Sequence, residues 1–126
     1  MPKLLLVDDS PVVRSASAQA LFRSDLAFDR LVEARDAEEA LAWLEADRSI
    51  ALVLADLSPR DGGGLELVRA IRERRARGDL AVVVVSSAGA HREAQRALDA
   101  GADAWVERPF TPGSIGADLE TWLGRR

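Results

Sequence analysis

Five short apolar runs recur along the chain: Leu4–Val7, Leu31–Val32 with its neighbours, Ile50–Ala55, Leu80–Val85 and Ala104–Val106. Each is rich in Val, Leu or Ala, and polar or turn residues bound it. Runs of this kind read as strands covered on both faces. Between them, apolar residues return at helical spacing over residues 11–23, 37–46, 65–76, 91–100 and 114–123. The first such stripe is Val12, Val13, Ala16, Ala20 and Leu21, and the third is Leu65, Val68 and Ile71. Parallel strands can be joined only by crossovers, and crossovers are right-handed, so strand and helix alternating five times predict a doubly wound parallel sheet with helices on both faces. At 126 residues the chain has enough surface to bury one core and too little for two, so residues 1–126 are expected to form a single α/β domain.

Local signals agree. Ser10-Pro11 is an N-cap followed by proline at the first helical position, where a missing N–H costs nothing. Asp36 and Glu39 have the spacing of a capping box. Gly78 and Gly101 are placed as glycines just past helix ends. The last helix carries Gly113 and Gly116, so its first turn is expected to fray. No apolar run approaches the roughly 20 residues of a membrane span, and the residues after Met1 are no secretion signal. The expected location is cytoplasmic.

Open parallel sheets bind ligands beyond the carboxyl ends of their strands. There the first strand presents Asp8 and Asp9, the third Asp56, the fourth Ser86 and Ser87, and the fifth Glu107, Arg108 and Pro109. Singly, each has a plain structural reading. Asp8 and Asp9 suit a helix N-terminus, Asp56 a turn, the two serines a cap for the fourth helix, and Arg108 a solvated surface. Together they place three mutually repelling carboxylates at one point, which calls for a cation among them. The chain has no cysteine and one histidine, His91, so disulfides, thiol nucleophiles and Cys- or His-rich metal centres are excluded. Carboxylate ligands then point to a hard ion, and Mg²⁺ suits them. A net charge of −4 gives no reason to expect nucleic-acid binding.

The segments LLLVDDSP, LVLAD (52–56), GLELV (64–68), VVVVSS (82–87), AGAD (100–103) and RPF (108–110) occur in the order and spacing of a known family. Along its whole length the chain resembles the receiver domain of two-component response regulators, of the single-domain chemotaxis type. The resemblance implies a flavodoxin-like sheet of strand order 2-1-3-4-5. It implies that Asp56 is the phosphoacceptor, that Asp8, Asp9, Asp56 and the backbone carbonyl of Ser58 hold Mg²⁺, and that Ser86 donates its hydroxyl to the phosphoryl group. It further implies a histidine kinase or phosphotransfer protein as donor. A downstream protein target would bind the face made by helix 4, strand 5 and helix 5, where Arg92, Arg96 and Trp105 lie. The switch is expected to be a monomer or weak dimer with no independent substrate turnover.

Two departures matter. The family carries lysine where this chain has Arg108, and a forked guanidinium does not replace a compact ammonium conservatively. Arg108 could grip a phosphoryl group bidentately or be too large for the pocket. Its presence also follows the composition, since arginines number sixteen against the single Lys3. The loop Ser58-Pro59-Arg60-Asp61-Gly62-Gly63-Gly64 has its proline one place early, and its three glycines predict a mobile or atypical loop. Trp105 stands at the family's switch-aromatic position, with core or half-buried packing as its structural alternative. Ser58 and Ala88 are small and predict a short-lived phosphoform.

The remaining features are expected to be structural. His91 reads as exposed, Arg69, Arg72, Arg74, Arg75 and Arg77 as a solvated helix face, and Trp43 and Trp122 as packing. The competing function is an atypical receiver acting as a phosphorylation-independent interaction module. A haloacid-dehalogenase-type phosphatase fits poorly, because it needs an Asp-x-Asp pattern where this chain has Asp8-Asp9-Ser10. Dinucleotide binding lacks its Gly-x-Gly-x-x-Gly motif.

Overall fold

The computed structural model describes residues 2–57 and 63–123. The element order is β1 (Lys3–Val7), α1 (Pro11–Arg23), β2 (Arg30–Ala34), α2 (Ala37–Ala46), β3 (Ile50–Asp56), α3 (Gly63–Arg74), β4 (Ala81–Ser87), α4 (His91–Ala100), β5 (Ala104–Arg108) and α5 (Pro112–Leu123). The strands form one parallel sheet of order β2-β1-β3-β4-β5. This is the doubly wound arrangement that the alternation predicts.

Side chains alternate across the pleat, so each inner strand, β1, β3 and β4, feeds two cores, while the edge strand β5 exposes Trp105 and Glu107 and is not covered on both faces. Leu5, Val7, Val53, Ala55, Val82 and Val84 pack with residues of α2, α3 and α4 on one face. Leu4, Leu6, Leu52, Leu54, Val83 and Val85 pack with α1 and α5 on the other. That two-sided burial is why these strands are continuous apolar runs. Among the described residues, no helix is long and apolar enough to cross a membrane.

Several local expectations need correction. In α1 the buried stripe is Ser17, Ala18 and Leu21, while Val12 is 79% exposed and Ala16 also faces solvent. The helix is set against the sheet by its small residues, rotated away from the stripe its most apolar residues define. In α3, Leu67 joins Val68 and Ile71 in the core. Ser10 caps α1, its hydroxyl accepting the Val13 N–H at 3.2 Å. Asp36 caps α2, but the Glu39 carboxylate accepts from the Arg35 N–H, one residue before the cap. The helix α4 ends as expected at Gly101, whose φ of 126° leaves room for N–H bonds back to Ala97 and Leu98. Gly78 is no cap: α3 stops at Arg74 and Gly78 lies in a later turn. Despite its glycines, α5 begins at Pro112, held down by buried Ile115 and Leu119.

The arginine face of α3 is not uniformly solvated. The Arg72 side chain is 11% exposed and inserts between α3, β4 and the α4–β5 turn. It donates to Leu80 O and Gly101 O, each at 2.8 Å, and to Asp103 Oδ2 at 3.0 Å. Asp103 Oδ2 also accepts the Val82 N–H. By contrast Arg69, Arg74, Arg75 and Arg77 stay at the surface or half-buried. Trp43 is likewise 37% exposed and packs only in part, whereas Trp122 packs against the α1–α5 core.

Candidate functional site

The carboxyl ends of β1, β3, β4 and β5 converge. Asp56 is the last residue of β3, Ser86 and Ser87 close β4, and Arg108 closes β5. Register sets them side by side: Asp56 pairs with Val85, and Ser87 with Arg108. Asp8 follows β1 directly, anchored by its N–H to Ala34 O and by its carbonyl to Arg14 Nη1 at 2.8 Å. Arg14 has no signal in the sequence that marks it as part of this region. Only the packing of α1 brings it there.

The strands reach further than the apolar runs that predict them, so Asp56, Ser86 and Arg108 stand on the rigid sheet and not on loops. The start of α3 is pressed against the same rim. A Cβ on Gly64 would lie 2.5 Å from the backbone oxygen of Asp56 and 2.8 Å from Leu57 Cα, so only glycine fits this close approach. Ser58, Pro59, Arg60, Asp61 and Gly62 fall outside the described residues, and with them the expected Ser58 carbonyl ligand and most of the glycine-rich loop.

Ligand-capable oxygens of Asp8, Asp9 and Asp56 all lie within 4.8 Å of one another. Asp8 is buried, Asp56 half-buried and Asp9 exposed. Asp8 Oδ1 accepts the Ser10 N–H at 2.9 Å, leaving Oδ2 directed at the cluster. Burial pushes the Asp8 carboxyl above its ordinary value, and the neighbouring Asp56 and Asp9 charges add to this. The Ser10 N–H and Arg108 oppose the shift.

Arg108 supplies the local positive charge. Its Nη2 bonds Asp56 Oδ1 and lies 3.3 Å from Asp8 Oδ2, so a single nitrogen bridges two carboxylates. Among the described residues, Arg108 Nε and Ser86 Oγ are both buried without a hydrogen-bond partner. The structural alternative for Ser86, a cap for α4, does not hold, because α4 begins at His91 with Ala90 as its N-cap and no side-chain cap bond. Nor is Arg108 a solvated surface charge. Pro109 follows it through a cis peptide bond.

An all-oxygen donor set suits a hard divalent ion such as Mg²⁺. At the end of the neighbouring strand β4, the buried Ser86 hydroxyl, unpartnered among the described residues, is a group that an oxyanion could satisfy. The residues therefore fit the ion that the carboxylate cluster calls for. The other singled-out residues lie on the neighbouring face. Trp105 is 37% exposed and is not a core residue. Its ring centroid is 6.3 Å from that of His91, whose exposed imidazole lies 2.7 Å from Glu107. Ala88 is exposed in the turn after β4.

The response regulator receiver domain family model matches residues 4–120. The chain belongs to the response regulator receiver domain family. A chemotaxis protein CheY homolog of Campylobacter jejuni is 33% identical over 122 residues, covering 97% of this receiver and 92% of the homolog. Chemotaxis protein CheY1 of Helicobacter pylori is 30% identical, covering 97% of each chain. Among solved structures, a CheY-like receiver domain protein from Methanospirillum hungatei superposes with a TM-score of 0.82 at 25% identity, covering 98% of this receiver and 94% of that chain. A probable two-component response regulator/GGDEF domain protein gives a TM-score of 0.89 at 31% identity, and the receiver spans 50% of its length. Receiver domains are signalling switches of two-component systems.

Proposed function

We propose that this receiver accepts a phosphoryl group on Asp56 and signals by protein–protein interaction. The observation that carries the reading is the rim itself. A half-buried carboxylate at the end of β3 stands with two further carboxylates and a guanidinium, and the end of the neighbouring strand β4 carries a buried hydroxyl that lacks a partner among the described residues. An Asp56 carboxylate oxygen attacks the phosphorus of a phosphohistidine on a histidine kinase or phosphotransfer protein. The P–N bond breaks, its electron pair stays on the imidazole, and an acyl phosphate forms. Water attack on that phosphorus later restores the carboxylate and releases inorganic phosphate.

Asp8, Asp9, Asp56 and the carbonyl of Ser58 are the groups that would hold Mg²⁺. When bound, the ion supplies charge neutralisation for the transferring phosphoryl oxygens. The chain's own residues do the rest. The Ser10 N–H orients Asp8, the packing of Gly64 fixes the Asp56 backbone, and Ser86 Oγ donates to a phosphoryl oxygen. Drawing Ser86 towards that oxygen moves the end of β4 and biases the adjoining α4–β5–α5 face. Arg92, Arg96 and Trp105 are exposed on that face and would meet the target. The switch works as a monomer or weak dimer.

The test is intact-mass spectrometry after incubation with Mg²⁺ and a small phosphodonor, beside Asp56→Asn. A phosphate adduct on the parent alone is expected. No adduct on the parent refutes the phosphoacceptor reading in favour of a phosphorylation-independent interaction module.

A further inference from the structure

We infer that Arg108 is a tethered cation seated in the acidic pocket, and that a divalent ion binds there only by displacing its guanidinium from Asp8 and Asp56. The inference rests on the phosphoacceptor reading and concerns how that site is controlled.

Three observations carry it. Asp8 Oδ1 already accepts the Ser10 N–H, Oδ2 is the oxygen turned towards the cluster, and Arg108 Nη2 lies 3.3 Å from it. The same nitrogen bonds Asp56 Oδ1, so both of the less exposed carboxylates engage one group of this side chain. Third, Arg108 Nε is buried with no acceptor among the described residues. A guanidinium buries an N–H unpaired only where another part of the fork gains more, since an unmet buried donor is costly. The position of this side chain is therefore set by the two acids and not by its surroundings along the stem.

Chain length explains why lysine would act differently. Counted from Cα, Nη2 lies one bond beyond the place where a lysine Nζ ends. An ammonium at this position stops short of the point that bridges both carboxylates, and it holds one as a point charge. A lysine there leaves an oxygen of Asp8 free for an incoming ion, and Arg108 does not. The resting receiver thus has the two less exposed acids of its cluster bridged from within. Entry of a metal ion requires Arg108 to withdraw, which couples ion binding to a movement at the end of β5, beside Trp105 and Glu107.

The test is calorimetric titration of MgCl₂ into the metal-free parent and Arg108→Lys at constant ionic strength. The two proteins have the same net charge, so general electrostatic attraction for the ion is matched. Arg108→Lys is expected to bind Mg²⁺ about tenfold to a hundredfold more tightly, the equivalent of not having to break one charge-assisted hydrogen bond. A second readout needs no variant to bind. The arginine Nε–H resonance that Arg108→Lys removes from the side-chain NMR spectrum must shift in the parent at Mg²⁺ saturation. Equal affinities, or an unmoved Nε–H signal at saturation, overturn the inference and leave the phosphoacceptor reading standing. If neither protein binds Mg²⁺, the phosphoacceptor reading fails and the inference with it.

Discussion

Arg72→Met removes one side chain that ties three elements together while keeping most of its apolar stem. In the parent, Leu80 O and Gly101 O each receive a 2.8 Å bond from the guanidinium, and Asp103, 8% exposed, receives one at 3.0 Å. The variant leaves four carbonyls, those of Leu80, Gly101, Ala76 and Arg75, without this donor and a nearly buried carboxylate without its main partner. Removing one member of a buried ion pair costs about 3–5 kcal/mol. The lower end applies here, because Asp103 keeps the Val82 N–H and has Arg77 at 3.9 Å. A loss of about 3 kcal/mol is therefore expected, which lowers Tm by roughly 10 °C for a domain of this size. Urea unfolding followed by far-UV circular dichroism should show a lower midpoint with an unchanged slope. Combining Arg72→Met with Asp103→Asn should recover part of the loss, since the stranded charge is then gone. A loss under about 1 kcal/mol for Arg72→Met would refute the staple and return Arg72 to the solvated face.

Gly64→Ala forces a Cβ into the Asp56 carbonyl and should destabilise the fold by about 1–3 kcal/mol, with slower phosphate incorporation by mass spectrometry. Normal stability and rate would mean that the α3 start is free to move. Asp47 accepts from Lys3 and Ser49, which hold its carboxyl below the usual carboxylate range. A lowered folded pKa stabilises above the unfolded value and loses that effect as pH falls. Thermal melts should therefore show Asp47→Asn less stable than the parent at neutral pH, the gap narrowing as pH drops below 3.8; a gap that widens in acid contradicts the assignment. In a variant with Trp43 and Trp122 replaced by phenylalanine, Trp105 fluorescence should respond to a phosphoryl mimic, and an unchanged spectrum argues against coupling of β4 to this face. A bulky residue at Ala88 should lengthen the phosphoform lifetime by hindering water; an unaltered lifetime removes that role.

Much of this protein was legible in the linear chain. The alternation of apolar runs and helical stripes requires a parallel sheet, because strands buried on both faces leave no polar side and must be joined by crossovers. Acids and hydroxyls at the run ends then share one rim, since all strands of such a sheet point the same way. Helix faces were less legible. Hydropathy alone put Val12 inwards, whereas close approach of α1 to the sheet selected Ser17 and Ala18. The arginine run in α3 looks uniform as a string, and Arg69 and Arg72 are neighbours on one helix face, yet the α4–β5 turn covers Arg72 and leaves Arg69 in solvent.

The acids of the site were marked by the sequence, but the relation between Arg108 and those acids was not. Whether a guanidinium lies in solvent, grips an oxyanion or bridges two carboxylates depends on where its tip falls within an ångström or so. That distance is set by strand register and by the buried position of Asp8, contacts between residues a hundred places apart. Local pattern determines which chemistry is present. Tertiary packing decides which groups neutralise one another, because charge interactions depend on separation in space and not along the chain.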